Sequence, residues 1–362
     1  MKRKVAIIFG GKSAEHEVSL SSASTVYNEM DTTKFIPLLL GVDKKGNWFY
    51  NTGYGICDID LTVHDYFEGA TGIYLSNASG TIEIVSKSTH AVLESLDVVF
   101  PIIHGTGGED GTLQGFLRTM DIPFVGPDVL GSAIAMDKDL TKRLLRDANI
   151  PIARYYILRK HNPSEYAFEE IAAALGLPLF VKPANAGSSV GVTKVMDADG
   201  YKTAISTAFL YDNKILIEEA VTGKEVECAV LGNEEARASG VGEIVPTVDF
   251  YSYDAKYIDA NGAKLRIPAD IDETVSAAIR ELAVKAFKTV GCEGMARVDF
   301  FLTKENRYVL NELNTLPGFT SISMYPKLWE QMGVSCRDLI TELIDLALRR
   351  YERDGELLTN NV

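Results

Sequence analysis

The chain has 362 residues, 46% of them hydrophobic and 24% charged, with a formal net charge of −14. That composition excludes disorder and leaves room for two or three domains, each with its own core. The acidic balance excludes nucleic acid or an anionic membrane surface as the main partner, although a nucleotide needs only a local cluster of cations.

The four cysteines (Cys57, Cys228, Cys292 and Cys336) form no C-x-x-C pair, so buried thiols in a reduced compartment are expected. The apolar run after Lys2-Arg3-Lys4 stops at Gly10-Gly11, too early for a secretory signal, and no run is long enough to span a bilayer. The expectation is a soluble, cytoplasmic protein without membrane insertion.

Lys4 to Phe9 is a continuous apolar run ending in Gly10-Gly11, as in a buried parallel strand, and Val18 to Met30 follows as a helix. Strand, glycine turn and helix open a βαβ unit, with ligands favoured at the strand's carboxyl end. Gly11-Lys12-Ser13 mimics the end of a P-loop, but Ala6 stands where that pattern needs glycine. No spaced G-x-G-x-x-G is present, which argues against a dehydrogenase. Phe35 to Val42 reads as a second strand, and Asp43 to His90 as a small antiparallel addition. Leu96 to Ile103 is again a buried strand, running into His104 and a glycine-rich loop that ends at Gly111. This loop feeds the helix Thr112 to Met120, whose N-terminus suits a carboxylate or phosphate. His104 there serves structure or ligand, and its place at a strand's carboxyl end favours ligand contact. Ile122 to Pro127 reads as a strand and domain boundary.

Asp128 to Ala148 reads as one helix, Ala153 to Leu158 as a strand, Ser164 to Leu175 as a helix and Leu179 to Pro183 as a strand. The small residues Ala184 to Val192 then form a pliable tip before a strand at Gly191 to Met196. Backbone N–H groups and the hydroxyls of Ser188 and Ser189 can wrap phosphate oxygens there, with Lys182 behind them as a cation. Helix Asp199 to Tyr211 and strand Lys214 to Glu219 complete a small α+β unit. Val221 to Glu225 leads into an alternating strand, Val226 to Leu231. Thr247 to Lys264 is tyrosine-rich, as expected of a lid. Asp272 to Val290 is a core helix by its spacing, and Cys336 to Arg349 a final helix.

Between those helices lies the stretch with the most chemistry. Ala296 to Leu302 and Asn311 to Asn314 flank the polar turn Thr303 to Arg307, which predicts a β-hairpin. A turn centred between Glu305 and Asn306 pairs Asp299 with Glu312 and Arg297 with Asn314, all four on one face, while Val298, Phe300 and Leu302 face inward. Opposed carboxylates repel unless something positive sits between them. The donors are all oxygen, with no His or Cys, which suits Mg²⁺ completed by water and substrate phosphate.

Four blocks in this order resemble D-alanine–D-alanine ligases: Gly10 to Ser19, His104 to Gly115, Gly187 to Gly191 and Asn311 to Ser323. The resemblance implies an ATP-grasp fold of α/β and α+β domains, divided here as 1–127, 128–217 and 218–362. It implies ATP as co-substrate, two Mg²⁺ ions (Mn²⁺ as an alternative), D-alanine as substrate and a homodimer. Asp299, Glu312 and Asn314 would hold the metals. Lys138, Lys182 and Ser189 would meet the phosphates. Glu218, Glu219, Val221 and Glu225 would hold adenine and ribose, partly through the backbone. Glu15 would receive the first substrate's ammonium, with Ser188 and Tyr257 as partners, and Arg297 with the Gly318 N–H would form an oxyanion hole. His104, Lys256, Ser323 and Met324 would line the substrate pockets. Tyr257 and Met324 point to D-alanine as second substrate, with D-serine and D-lactate ligases as the alternatives. A non-catalytic ATP-binding module or a carboxylase-type ATP-grasp enzyme is more remote, since Arg297 and the carboxylates are all present and no biotinyl carrier segment is found.

Overall fold

The computed structural model describes residues 2–53, 66–78, 80–246 and 263–358. Strand β1 (Arg3–Gly10) lies between β2 (Phe35–Val42) and β7 (Val98–Pro101), parallel to both, and is buried from Val5 onward. Helix α1 (His16–Glu29) begins two residues earlier in the chain than its apolar spacing suggests, directly after Glu15. Gly10 and Gly11 both take left-handed φ values, 88° and 90°. A Cβ on Gly10 would lie 2.3 Å from the Val42 carbonyl oxygen, so only glycine lets the chain turn here. That turn delivers Ser13 and Glu15 to the carboxyl end of the parallel strands.

The expected antiparallel addition is present as β3 (Trp48–Tyr50), β4 (Thr71–Ala78), β5 (Thr81–Ser86) and β6 (Val92–Leu96), extending the sheet in the order β6-β5-β4-β3-β2-β1-β7. The strand expected from Leu96 to Ile103 is divided at Asp97. Its first part belongs to β6 and its second to β7, at opposite ends of the ladder. The sheet therefore curls until β6 meets the start of β1, where Lys4 Nζ reaches Glu94 Oε1 at 2.6 Å.

The helix expected from Thr112 to Met120 is α2 (Thr112–Thr119), and the one expected from Asp128 to Ala148 is two: α3 (Val129–Met136) and α4 (Lys138–Asp147). Asp137 is extended and caps α4, accepting from the N–H groups of Asp139 and Leu140 at 3.1 Å. A second sheet, ordered β10-β9-β11-β8, contains β8 (Tyr155–Arg159), β9 (Leu179–Pro183), β10 (Thr193–Val195) and β11 (Lys214–Glu219). Helices α5 (Phe168–Leu175) and α6 (Ala198–Ala208) pack on it and give it a core of its own.

The third sheet, β14-β13-β12-β15-β16, holds β12 (Lys224–Gly232), β13 (Arg237–Pro246), β14 (Ala263–Arg266), β15 (Gly294–Leu302) and β16 (Tyr308–Asn314). Helix α7 (Glu273–Thr289) covers one face. Helices α8 (Met324–Gln331) and α9 (Cys336–Gly355) cover the other and share a core with β1, β7 and α1. The first and third sheets are thus bound through common apolar residues, while the second keeps a separate core. Among the described residues, no helix is long and apolar enough to cross a membrane.

Candidate active site

The hairpin of β15 and β16 pairs Asp299 with Glu312 and Arg297 with Asn314, as strand alternation predicts. The turn differs by half a residue: Leu302 pairs with Tyr308 and Phe300 with Leu310, centring it on Glu305. A bulge at Asn311 then restores the expected register at the polar face. Strand β12 adds a third carboxylate to the row, because Glu227 pairs with Asp299 on its other side.

These carboxylates are held by cations. Arg297 donates through Nε and Nη2 to Asp299, both at 2.8 Å, and its Nε lies 2.9 Å from Glu227 Oε2. Burial works against the guanidinium's charge, but Asp299 and Glu227 outweigh it and hold Arg297 well above its ordinary range. Asn314 Nδ2 donates to Asp299 Oδ2 at 2.9 Å. Lys138, at the start of α4, donates to the Ala186 carbonyl at 2.6 Å and lies 3.5 Å from Glu312 Oε2. Two carboxylates and an amide oxygen fit a hard divalent cation such as Mg²⁺, and leave half of an octahedral shell for water and phosphate. Among the described residues no group of three or more His, Cys, Asp or Glu side chains is preformed around a metal position.

Behind Lys138, the second sheet brings Lys182 of β9 and Lys142 of α4 onto the two oxygens of Glu218 on β11. Burial disfavours the charge on Glu218, yet the two lysines keep it below the usual carboxylate range.

The carboxyl end of the first sheet supplies the opposite wall. Ser188 Oγ donates to Glu15 Oε1 across the gap between the two sheets. A Cβ on Gly105 would lie 2.5 Å from Glu15 Oε2, so the His104 loop and the Gly187 loop both close on this carboxylate. Ser188 and Ser189 take φ values of 52° and 59°, a strained pair that marks the loop as shaped for contact.

His104 is buried, and burial holds its imidazole below the ordinary range against the pull of Glu15. Its Nδ1 faces the Leu316 carbonyl at 2.9 Å, which can only accept, so Nδ1 carries the proton. Nε2 then accepts from Ser22 Oγ at 3.0 Å, and Ser22 accepts from the Phe319 N–H at 3.2 Å. Glu109 accepts from the N–H groups of Gly105 (2.6 Å) and Leu316 (3.0 Å). These bonds fix the chain on both sides of Gly318, which lies opposite Ser22 and Ser323.

Known proteins match this arrangement over its whole length. Residues 4–127 match the family described as D-ala D-ala ligase N-terminus, and residues 144–345 the family described as D-ala D-ala ligase C-terminus. The chain belongs to the D-alanine–D-alanine ligase family.

The D-alanine–D-alanine ligase of Oceanobacillus iheyensis is 54% identical over 359 residues, 99% of this chain and 98% of that protein. D-alanine–D-alanine ligase A of Escherichia coli K12 is 51% identical over 360 residues, 99% of each chain. Among solved structures, the D-alanine-D-alanine ligase from Coxiella burnetii superposes with a TM-score of 0.87 at 36% identity, covering 98% of this chain and 96% of that one. The VanG D-Ala:D-Ser ligase from Enterococcus faecalis gives 0.85 at 38%, covering 96% and 100%. The fold is therefore ATP-grasp, and the enzyme is a ligase of an ATP-using family.

Other residues expected at the ligase site fall in three places. Val221 and Glu225 lie where the chain passes from the second sheet to the third. Glu219 points away from Glu218, accepting from Arg154 Nε at 2.6 Å, so only its backbone faces the same side as its neighbour. Ser323 precedes α8 and its Oγ accepts from the Thr320 N–H at 2.9 Å. Met324 departs from its expected place: its side chain is 3% exposed and fills the space beside Gly242 in the core. Its position as the first residue of α8 turns it inward toward β13. Lys256 and Tyr257 lie outside the described residues. Glu227, Glu109 and Lys142 reached the site without being expected there. For Glu227 a local signal existed, since it alternates with Glu225 along β12.

Proposed function

We propose that the chain is an ATP-dependent D-alanine–D-alanine ligase that acts in the cytoplasm, as a homodimer, in peptidoglycan synthesis. The observation that carries this reading is the row Glu227, Asp299 and Glu312 with Arg297 and Lys138, in a chain of this family. Residues 1–127 would form the substrate domain, 128–217 the domain bearing the phosphate loop, and 218–362 the domain bearing the metal hairpin.

Asp299, Glu312 and Asn314 would hold Mg²⁺, or Mn²⁺ in its place, which when bound neutralises phosphate charge. Lys138, Lys182 and the loop at Ser189 bind and orient the triphosphate. Glu218 accepts from the adenine amino group, Glu225 takes the ribose, and the backbone from Glu219 to Val221 lines the base. Glu15 holds the ammonium of the first D-alanine, with Ser188 and Tyr257 as its partners. That substrate's carboxylate oxygen attacks the γ-phosphorus and ADP leaves, giving D-alanyl phosphate. The amine of the second D-alanine attacks the acyl carbon, and the tetrahedral adduct collapses by expelling phosphate. Arg297 and the Gly318 N–H stabilise the oxyanion of that adduct. Ser323, with Lys256, meets the second carboxylate, and His104 fixes the loop around Gly318. Positioning and charge neutralisation are what this chemistry requires of a protein.

The test is phosphate release from ATP with Mg²⁺ and D-alanine, with D-serine and D-lactate as competitors and products identified by mass spectrometry. D-Ala–D-Ala as main product is expected, as the 54% and 51% identical relatives favour. A mixed product would overturn the second-substrate assignment, and no turnover with any D-amino acid would overturn the ligase reading.

A further inference from the structure

Lys142 is the most deeply buried cation of the described chain and has no role in the chemistry above. It sits one turn after Lys138 on α4, its side chain 1% exposed and its Nζ 5.5 Å from the centre of the Tyr155 ring. Among the described residues, the ion partner of both Lys142 and Lys182 is Glu218, one oxygen for each lysine. The side chains of Glu218 and Lys182 are 6% and 9% exposed, so this triad is closed off from solvent.

That arrangement poses a conflict. Lys182 is needed on the nucleotide's phosphates, but a buried carboxylate left without a counter-ion is costly, so Glu218 on its own would retain Lys182. We infer that Lys142 is a positioning residue for the nucleotide: it is the standing counter-ion of Glu218 and thereby frees Lys182 for phosphate. Lys142 does not touch the nucleotide. With Lys142 in place, the departure of Lys182 leaves Glu218 paired and ionised beside the base. Without it, Glu218 and Lys182 close on each other and the phosphates lose a cation. This inference rests on the nucleotide-site reading above and assigns a residue which that reading leaves out.

The test compares binding of ADP with Mg²⁺ and of adenosine to the full-length protein by calorimetry. In K142M the dissociation constant of ADP should rise at least tenfold while that of adenosine changes less than twofold. K142R should stay near the wild type. The double variant K142M/E218Q should recover the wild-type ratio of ADP to adenosine affinity, because a neutral side chain no longer retains Lys182. Should K142M not fold, K142Q is read for the same ratio. Equal losses for ADP and adenosine, or no loss for either, would overturn the inference while the site reading stands. A wild-type protein that fails to bind ADP at all would overturn both.

Discussion

Asp299 and Glu312 face each other across the β15–β16 ladder, and each carboxylate is held by a different cation. Arg297 forks onto Asp299 at 2.8 Å, and Lys138 lies 3.5 Å from Glu312. The two carboxylates are therefore compensated where they stand side by side, and a divalent ion held between them would compensate them further. Glu312→Gln keeps the shape and removes one anionic ligand. Phosphate release should drop by roughly 100-fold or more with an unchanged circular dichroism spectrum. Full Mg²⁺-dependent activity in this variant would refute the metal assignment.

Glu109 offers a pH test. Burial, followed by the nearby Glu15 carboxylate, pushes its carboxyl up to about 8 from an ordinary 4.5. A carboxyl raised in the fold stabilises it fully below the unfolded value, and that contribution is lost as pH rises through the folded one. Glu109→Gln cannot titrate, so the Tm of the wild type relative to this variant should fall steadily between about pH 5 and about pH 9. Parallel melting curves across that window would remove Glu109 as the titrating group.

Gly105 tests the junction at Glu15. Its φ is 73°, and an added Cβ would lie 2.5 Å from Glu15 Oε2. Gly105→Ala should cost about 1–2 kcal/mol in backbone strain and push Glu15 off Ser188. The KM for D-alanine should rise about tenfold while ATP binding is retained, since the nucleotide contacts lie on the other sheets. An unchanged KM would show that Glu15 does not hold the ammonium.

Arg350 tests the seam between the first and third sheets. From α9 it donates to the carbonyls of Gly126 (2.5 Å) and Phe124 (2.7 Å), and its guanidinium lies 4.7 Å from the centre of the Phe124 ring. Arg350→Met would leave two buried carbonyls unpaired and should lower stability by about 3 kcal/mol, with kcat within about twofold of wild type. Chemical denaturation measures the first, and steady-state assay the second. A stability within error of wild type would mean that the shared apolar core alone holds the seam.

The sequence by itself determined the hairpin. Alternation along Ala296 to Leu302 and the polar turn after it placed Asp299 within one residue of its partner, because strand period is a local property, and the bulge at Asn311 completed the pairing with Glu312. It also marked β1, β2, β9 and β11, whose apolar runs end in glycine, proline or charge, and the blocks that identify the family. What only the tertiary structure decided was everything set by packing between distant segments. The break at Asp137 depends on a cap and on a bond from the Lys138 N–H to the Ala184 carbonyl. Met324 turned inward because α8 lies against β13, and β13 itself carried too little alternation to be read as a strand. The bond from Leu316 to Glu109 spans 207 residues, and Lys142 meets Glu218 only because α4 packs beside the second sheet. A side chain's spacing along the chain reports the face it occupies, but its partner is fixed by which faces are buried against one another.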